Sequence, residues 1–347
     1  MRRAWCATLA ALLAAGVQAA GSVPAALGTP ALQTPRAQGA ATLAVARAGQ
    51  RLVVAGERGT VLYSDNQGST WTQARVPVQV SLTALRFVDA RTGWAVGHLG
   101  VILRSDDAGA TWALQLDGVR AAALSLEAAR ASGDAAAVQR AQRLVEEGPD
   151  KAFFDVDFAD RDHGFAVGAY NQVFATRDGG AHWQPVGAAV PNPKGLHLYG
   201  VRFAGRQVFL AGEQGLLLRS DDGGISFSAL TTPYKGSFFG LLATRSGTLL
   251  AYGLRGNAWR TTDQGVSWQR ADTGHQEASF SAATEAPDGR LLLLSQAGEL
   301  LASRDDGRGF RTLASVQAGG AGVAAADGAW VVAGLRGTRR YSAAGAP

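Results

Sequence analysis

The sequence predicts an all-β chain folded as a seven-bladed β-propeller of four-stranded blades, and three regularities predict it. An octet of the form Ser/Thr-x-Asp-x-Gly-x-x-Trp, clearest at Ser105-Asp106-Asp107-Ala108-Gly109-Ala110-Thr111-Trp112, occurs six times. A β-rich run ending in a Gly-x-x-Gly-like turn occurs seven times. The octet anchors at 66, 107, 178, 222, 263 and 305 lie 41, 71, 44, 41 and 42 residues apart, a blade-length period with one long interval.

Residues 1–19 read as a secretory signal: Arg2 and Arg3, an apolar run over 4–17, then small residues. Residues 20–347 are then the propeller, exported to the periplasm without a stable membrane insertion. Cys6 falls inside the signal, so the mature chain has no disulfide and no thiolate chemistry. The formal net charge of +5 drops by two with Arg2 and Arg3, too weak a balance to point to nucleic acid.

Each blade is expected to carry strands A to D from the centre outward. The A strands begin near residues 43, 82, 153, 198, 239, 280 and 322. The Gly-x-x-Gly turns join B to C, and the octets join C to D. In an octet, the Asp or Asn oxygen is expected to accept from the backbone N–H two residues on. Gly supplies positive φ, and the aromatic residue buries its face at the start of the D strand. The octet residues so assigned to structure are Asn66 and Trp71, Asp107 and Trp112, Asp178 and Trp183, Asp222 and Phe227, Asp263 and Trp268, and Asp305 and Phe310.

The seventh unit stops after its C strand, so residues 27–34 are expected to supply its missing D strand. Pro24, Pro30 and Pro35 fit only an outermost position. The long interval, 119–151, reads as a helical hairpin inserted between blades two and three, with Asp134 as an N-cap and Gly148-Pro149 as a stop.

The octets, Gly-Trp-Ala-Val-Gly at 93–97 and Gly-Pro-Asp-Lys-Ala-Phe-Phe-Asp-Val at 148–156 resemble the Asp-box (bacterial neuraminidase repeat) propellers. Among these, the chain resembles the photosystem II stability/assembly factor family and its relatives in non-photosynthetic bacteria, over about residues 40–342. The resemblance implies an assembly chaperone that binds a reaction-centre subunit through an arginine cluster. For the non-photosynthetic relatives it implies an adaptor role beside exporters of the resistance-nodulation-division type.

Chemistry narrows the choice of surface. Repeated Asp residues invite a sialidase-like glycoside hydrolase, but each octet Asp is expected on its own outer turn, far from the next. The string nearest to a sialidase signature, Ala74-Arg75-Val76-Pro77, follows the first octet, which is the wrong place. The five histidines lack metal-ligand spacing, and no P-loop, dinucleotide fingerprint or Gly-x-Ser-x-Gly is present, so no metal and no cofactor is expected.

The B–C turns are expected to gather Arg58, His98, Tyr170, Gln214, Arg255, Gln296 and Arg336 on one rim, and the D-to-A links add Arg75, Lys194, His197, Tyr234, Lys235 and His275. Guanidinium forks at equivalent turns suit carboxylate recognition, so Arg58, His98, Tyr170, Arg255 and Arg336 are the candidate partner-binding residues. The reading is a monomeric, non-catalytic protein-binding propeller whose partner is a membrane or envelope protein. The alternative is a glycoside hydrolase or glycan-binding lectin with Trp94, Trp259 and Trp330 as sugar platforms, although those tryptophans occupy strand positions suited to a core.

Overall fold

The computed structural model describes residues 23–274 and 277–342. The expected signal sequence and His275 lie outside the described residues. The chain forms seven antiparallel sheets, each ordered from one strand to the next in sequence. The A strands are Thr42–Ala48, Leu82–Phe87, Phe153–Phe158, Leu198–Ala204, Phe238–Ala243, Phe280–Glu285 and Gly320–Ala326. Each lies beside the A strand of the next blade, and the last lies beside the first, so they ring a common axis.

The B strands are continuous apolar runs because neighbouring blades cover both of their faces. Gly93–Gly97 and Leu291–Ser295 are buried at every residue. The stacked rings of Trp94 and Phe158, with centroids 3.5 Å apart, show how blades two and three share a core. Trp94 and Trp330 are buried. Several D strands, such as Thr72–Gln73 and Gln184–Pro185, are only two residues long, which leaves little exposed edge for another chain to pair with.

The octets close C onto D with a longer reach than the sequence suggests. Asp107 Oδ1 accepts from the backbone N–H of Thr111, four residues on, at 2.9 Å, and Asp107 Oδ2 accepts from the Thr111 hydroxyl at 2.6 Å. The Ser105 hydroxyl donates to Asp107 and accepts from Gly109 N. Asn66 makes the same bond to Thr70 N. Two consecutive left-handed residues, Ala108 and Gly109, widen the loop beyond an ordinary Asx turn, which moves the acceptor's partner from the second residue to the fourth. Trp112, Trp183 and Phe310 are buried, whereas Trp71, Phe227 and Trp268 are half-buried.

The insert forms α1 (Gly118–Ser132) and α2 (Ala135–Glu147). Asp117 caps α1 by accepting from Arg120 N, and Asp134 caps α2 by accepting from Ala136 N. Gly133 adopts φ 72° and terminates α1 in the left-handed conformation that glycine favours. α1 lies against the turn at His98–Gly100 and against the D strand of blade three, and α2 packs along α1.

The expectation that residues 27–34 complete blade seven is not met. Among the described residues its sheet has three strands, ending at Arg339–Ser342. The N-terminal segment runs instead along the link that follows blade one, where Ala31 N donates to Val76 O at 2.9 Å and Gln79 N donates to Ala26 O at 2.8 Å. Leu27 and Ala31 join the core cluster of Val76 and Val78, an apolar cover that an outermost strand would not give them. The ring closes without a shared strand. Thr42 Oγ1 accepts from Gly334 N at 3.1 Å, Arg47 Nη1 donates to Ala325 O at 2.7 Å, and Leu52, Ala324 and Val331 share a cluster.

Candidate protein-binding face

The B–C turns are built by close approach. A Cβ on Gly56 would stand 2.0 Å from Ala41 O, and one on Gly168 would stand 2.1 Å from Ala152 O. That room lets Glu57 N donate to Ala41 O and Ala169 N donate to Ala152 O, both carbonyls lying just ahead of an A strand. The turn is thereby tied to the chain entering the blade. Its third residue, Arg58, Leu99, Tyr170, Gln214 or Arg255, adopts φ between 51° and 55°. A left-handed residue inside a tied turn projects its side chain away from the sheet.

The structure places Arg58, Tyr170 and Arg255 at equivalent projecting positions, all exposed. Two expectations are corrected. His98 is one position out of register: it is the second residue of its turn, and half-buried Leu99 holds the projecting site beneath the start of α1. Arg336 is exposed, but its turn lacks a left-handed third residue, and the positive φ falls on Gly337. Arg75 belongs to the octet end, because its carbonyl accepts from Trp112 N and its N–H donates to Ala110 O.

Beside these turns the A strands share an irregularity that sequence reasoning missed. Every A strand is bulged at its second residue, leaving Leu43, Thr83, Phe154, Tyr199, Phe239, Ser281 and Ala321 without a cross-strand partner. Bulges re-aim the side chain they leave unpaired. Thr83 and Ser281 use theirs to bond the next blade, at Phe153 O and Gly320 O.

In blades three to five the bulged residues are aromatic and form an arc. Phe154 and Tyr199 have centroids 5.3 Å apart, and Tyr199 and Phe239 stand edge to face at 5.7 Å. His197 and Tyr170 extend the arc to the rim, 4.6 Å apart, with His197 Nδ1 accepting from Tyr170 N. The Tyr199 phenol is held above its ordinary pKa by burial and by the charge of Glu213. Tyr170 is 64% exposed. The signal was available: these strands open with two consecutive large residues, Phe153-Phe154, Leu198-Tyr199 and Phe238-Phe239, and only one of each pair can face the core.

Farther along the same strands, Asp155 and Asp157 point from blade three to blade four. Asp155 Oδ2 accepts from Val201 N and pairs with Arg202 at 2.5 Å, while Asp157 accepts from Phe203 N and pairs with Arg86 at 2.6 Å. Burial pushes the Asp155 carboxyl up although Arg202 opposes it. Both carboxylates are committed to bridging blades. Among the described residues no cluster of three His, Cys, Asp or Glu could hold a metal.

A model of one protein family, described as photosynthesis system II assembly factor YCF48, matches residues 134–319, which is more than half of the chain. The chain belongs to the YCF48 family. A lipoprotein of Synechococcus sp. (strain CC9902) named for photosystem II assembly is 35% identical over 122 residues, covering 34% of this chain and 36% of the relative. The chloroplastic photosystem II stability/assembly factor HCF136 of Oryza sativa subsp. japonica is 22% identical over 186 residues, covering 47% and 45%. The chain thus spans less than half the length of these curated relatives in its matches.

Among solved structures, a YCF48 bound to D1 peptide superposes with a TM-score of 0.63 at 14% identity, covering 90% of this chain and 95% of that one. A GH74 enzyme of Niastella koreensis also superposes, with a TM-score of 0.63 at 12% identity over 87% of this chain and 52% of that one. Likeness at these identities shows the propeller fold alone. Among the described residues, no helix is long and apolar enough to cross a membrane.

Proposed function

We propose that this YCF48-family chain is an exported, monomeric, non-catalytic assembly or adaptor factor for a membrane or envelope protein complex. It grips its partner on the face that carries the B–C turns, the aromatic arc and the helical hairpin. An exporter complex is one candidate client. The observation that carries the reading is the arc Phe154–Tyr199–Phe239 on the face whose B–C turns present Arg58 and Arg255. Half-buried aromatics on one face with exposed arginines that have no side-chain partner among the described residues have the composition of a protein-binding hot spot. Relatives named as assembly factors support it. A lack of catalysis agrees with octet carboxylates engaged by their own turns and with Asp155 and Asp157 engaged by neighbouring blades. The apolar run over 4–17 supports export.

The test is photocrosslinking in cells from a benzoylphenylalanine placed at Tyr199. A discrete adduct with a membrane protein is expected, and its loss is expected in the Arg58→Ala, Arg255→Ala, Arg336→Ala triple variant. No adduct from Tyr199 overturns the face, an adduct indifferent to the arginines removes them from it, and turnover of fluorogenic glycosides overturns the non-catalytic reading.

A further inference from the structure

The hairpin does not lie flat on the propeller. Between it and blade three runs a cleft of about 1020 Å³, at the upper end of ligand-site volumes. Ala122 and Ala129 of α1, with Ala137 and Leu144 of α2, form one wall, and Val190 and Pro191 of the link after blade three face them. Small side chains on both helices leave the space between the walls unfilled. Tyr170, the rim end of the aromatic arc, also lines the cleft, so cleft and arc form one continuous surface.

We propose that this cleft binds an extended, apolar peptide segment of the partner that carries a carboxylate, either an acidic side chain or a chain terminus. This rests on the protein-binding reading and adds the chemistry of what is held. Charge complementarity selects the carboxylate, since Arg140, Lys151 and Lys194 line the cleft and no Asp or Glu does. Lys151 is held by Glu147 and Asp150, and Arg140 stands 3.8 Å from Asp134. Lys194 has no ion pair among the described residues and meets the Gln214 amide oxygen at 3.1 Å, so its ammonium is the one available to an incoming anion. A peptide is favoured over an acyl chain because Ser125, Ser132, Asn171 and Asn192 also line the cleft. A peptide backbone can hydrogen-bond with such groups, and a methylene chain would only desolvate them.

The probe is a positional-scanning library of fluorescein-labelled octapeptides, made with free and with amidated C-termini and read by anisotropy against the purified full chain. Enrichment of apolar residues with a carboxylate is expected, and the amidated arm tells a terminal carboxylate from an acidic side chain. Ala137→Trp on one wall and exposed Ala188→Trp on the other should each weaken the selected peptide by about tenfold or more. Lys194→Gln should remove its preference over the carboxylate-free analogue. Thermal melting checks that the variants fold. No enrichment, or a selected peptide bound by both tryptophan variants as tightly as by the wild type, overturns the proposal. So does direct binding of laurate without peptide binding, or a dimer dissociated by Ala137→Trp, which would seat a second copy there. If the Tyr199 crosslink persists in Ala137→Trp while the peptide is lost from neither variant, the cleft falls and the protein-binding reading stands.

Discussion

The guanidinium of Arg260, in the C strand of blade five, grips Asp306 in the octet of blade six twice. Arg260 Nε donates to the Asp306 backbone carbonyl at 2.9 Å, and Nη2 donates to its carboxylate at 2.8 Å. The same clasp recurs where Arg104 Nη1 meets Gly179 O, where Arg219 Nη1 meets Gln264 O and where Arg340 Nε meets Gln67 O. In each case the acceptor is the residue just before the octet glycine, whose left-handed conformation accompanies a carbonyl turned toward the preceding blade. The octet therefore joins blades as well as strands.

Arg260→Ala is expected to lower stability by about 2–3 kcal/mol, because it empties a buried site and removes a charge-assisted bond, leaving the Asp306 carboxylate to Ser246 and Thr248. Arg219→Ala, whose partner Asp221 is exposed, is expected to cost about 1 kcal/mol or less. Urea denaturation of the two variants compares them directly, and equal losses contradict the assignment.

Trp112→Ala should cost about 3–5 kcal/mol as an emptied aromatic site. Asp107→Ala, which removes hydrogen bonds to a charged acceptor, should cost about 1.5–3 kcal/mol. Neither should change partner crosslinking beyond its effect on folding. The reverse order in a denaturation series would show that the octet depends on its carboxylate rather than its ring.

The octet carboxylates set an acid limit. The His182 backbone N–H and ring hold Asp178 at about 2, and the Ser267 hydroxyl and N–H hold Asp263 at about 2. A carboxyl depressed in the folded state stabilises the fold above its unfolded pKa of about 4 and loses that contribution as pH falls toward the folded value. The urea midpoint should therefore fall between about pH 4 and pH 2, and less steeply in Asp178→Asn, Asp263→Asn, since Asn66 shows that an amide serves the same turn. Parallel slopes in wild type and variant would count against this.

Deleting residues 23–39 should destabilise blade one and its link, exposing Val76 and Val78, while leaving blade seven paired as before. Hydrogen exchange distinguishes the two regions. Lost protection at Val331 and Val332 rather than near Val76 and Val78 would restore the segment to blade seven.

Tyr199→Ala with Phe239→Ala should weaken partner crosslinking from an independent probe at Tyr170 by about tenfold or more, at little cost in melting, since both rings are only half-buried. An unchanged adduct would remove the arc from the binding face.

Much of the fold was legible because its signals are local. An octet with glycine at a left-handed position and an aromatic three residues later needs no partner to be recognised, and its repetition counts the blades. Asp134 and Gly148 mark the hairpin for the same reason. The site was less legible. His98 was placed by counting letters in Gly-x-x-Gly, whereas projection depends on which residue takes positive φ, and there it is Leu99. The aromatic arc is not legible because alternation alone does not say which of Phe153-Phe154, Leu198-Tyr199 and Phe238-Phe239 leaves the core, and the bulge that decides it depends on pairing with the B strand.

Local chemistry in the chain was sufficient to specify the strands, the turns, the capped helices and the ring they build, since each depends on residues a few positions apart. Whether residues 27–34 pair with blade seven or cover blade one was decided only in three dimensions, because the choice turns on which neighbour offers Leu27 and Ala31 an apolar seat, and the link after blade one does. The same holds for Asp155 and Arg202, 47 residues apart, and for the cleft beside α2. Non-local pairing and the shape left between packed elements depend on how every blade is placed, and no short stretch of sequence carries that information.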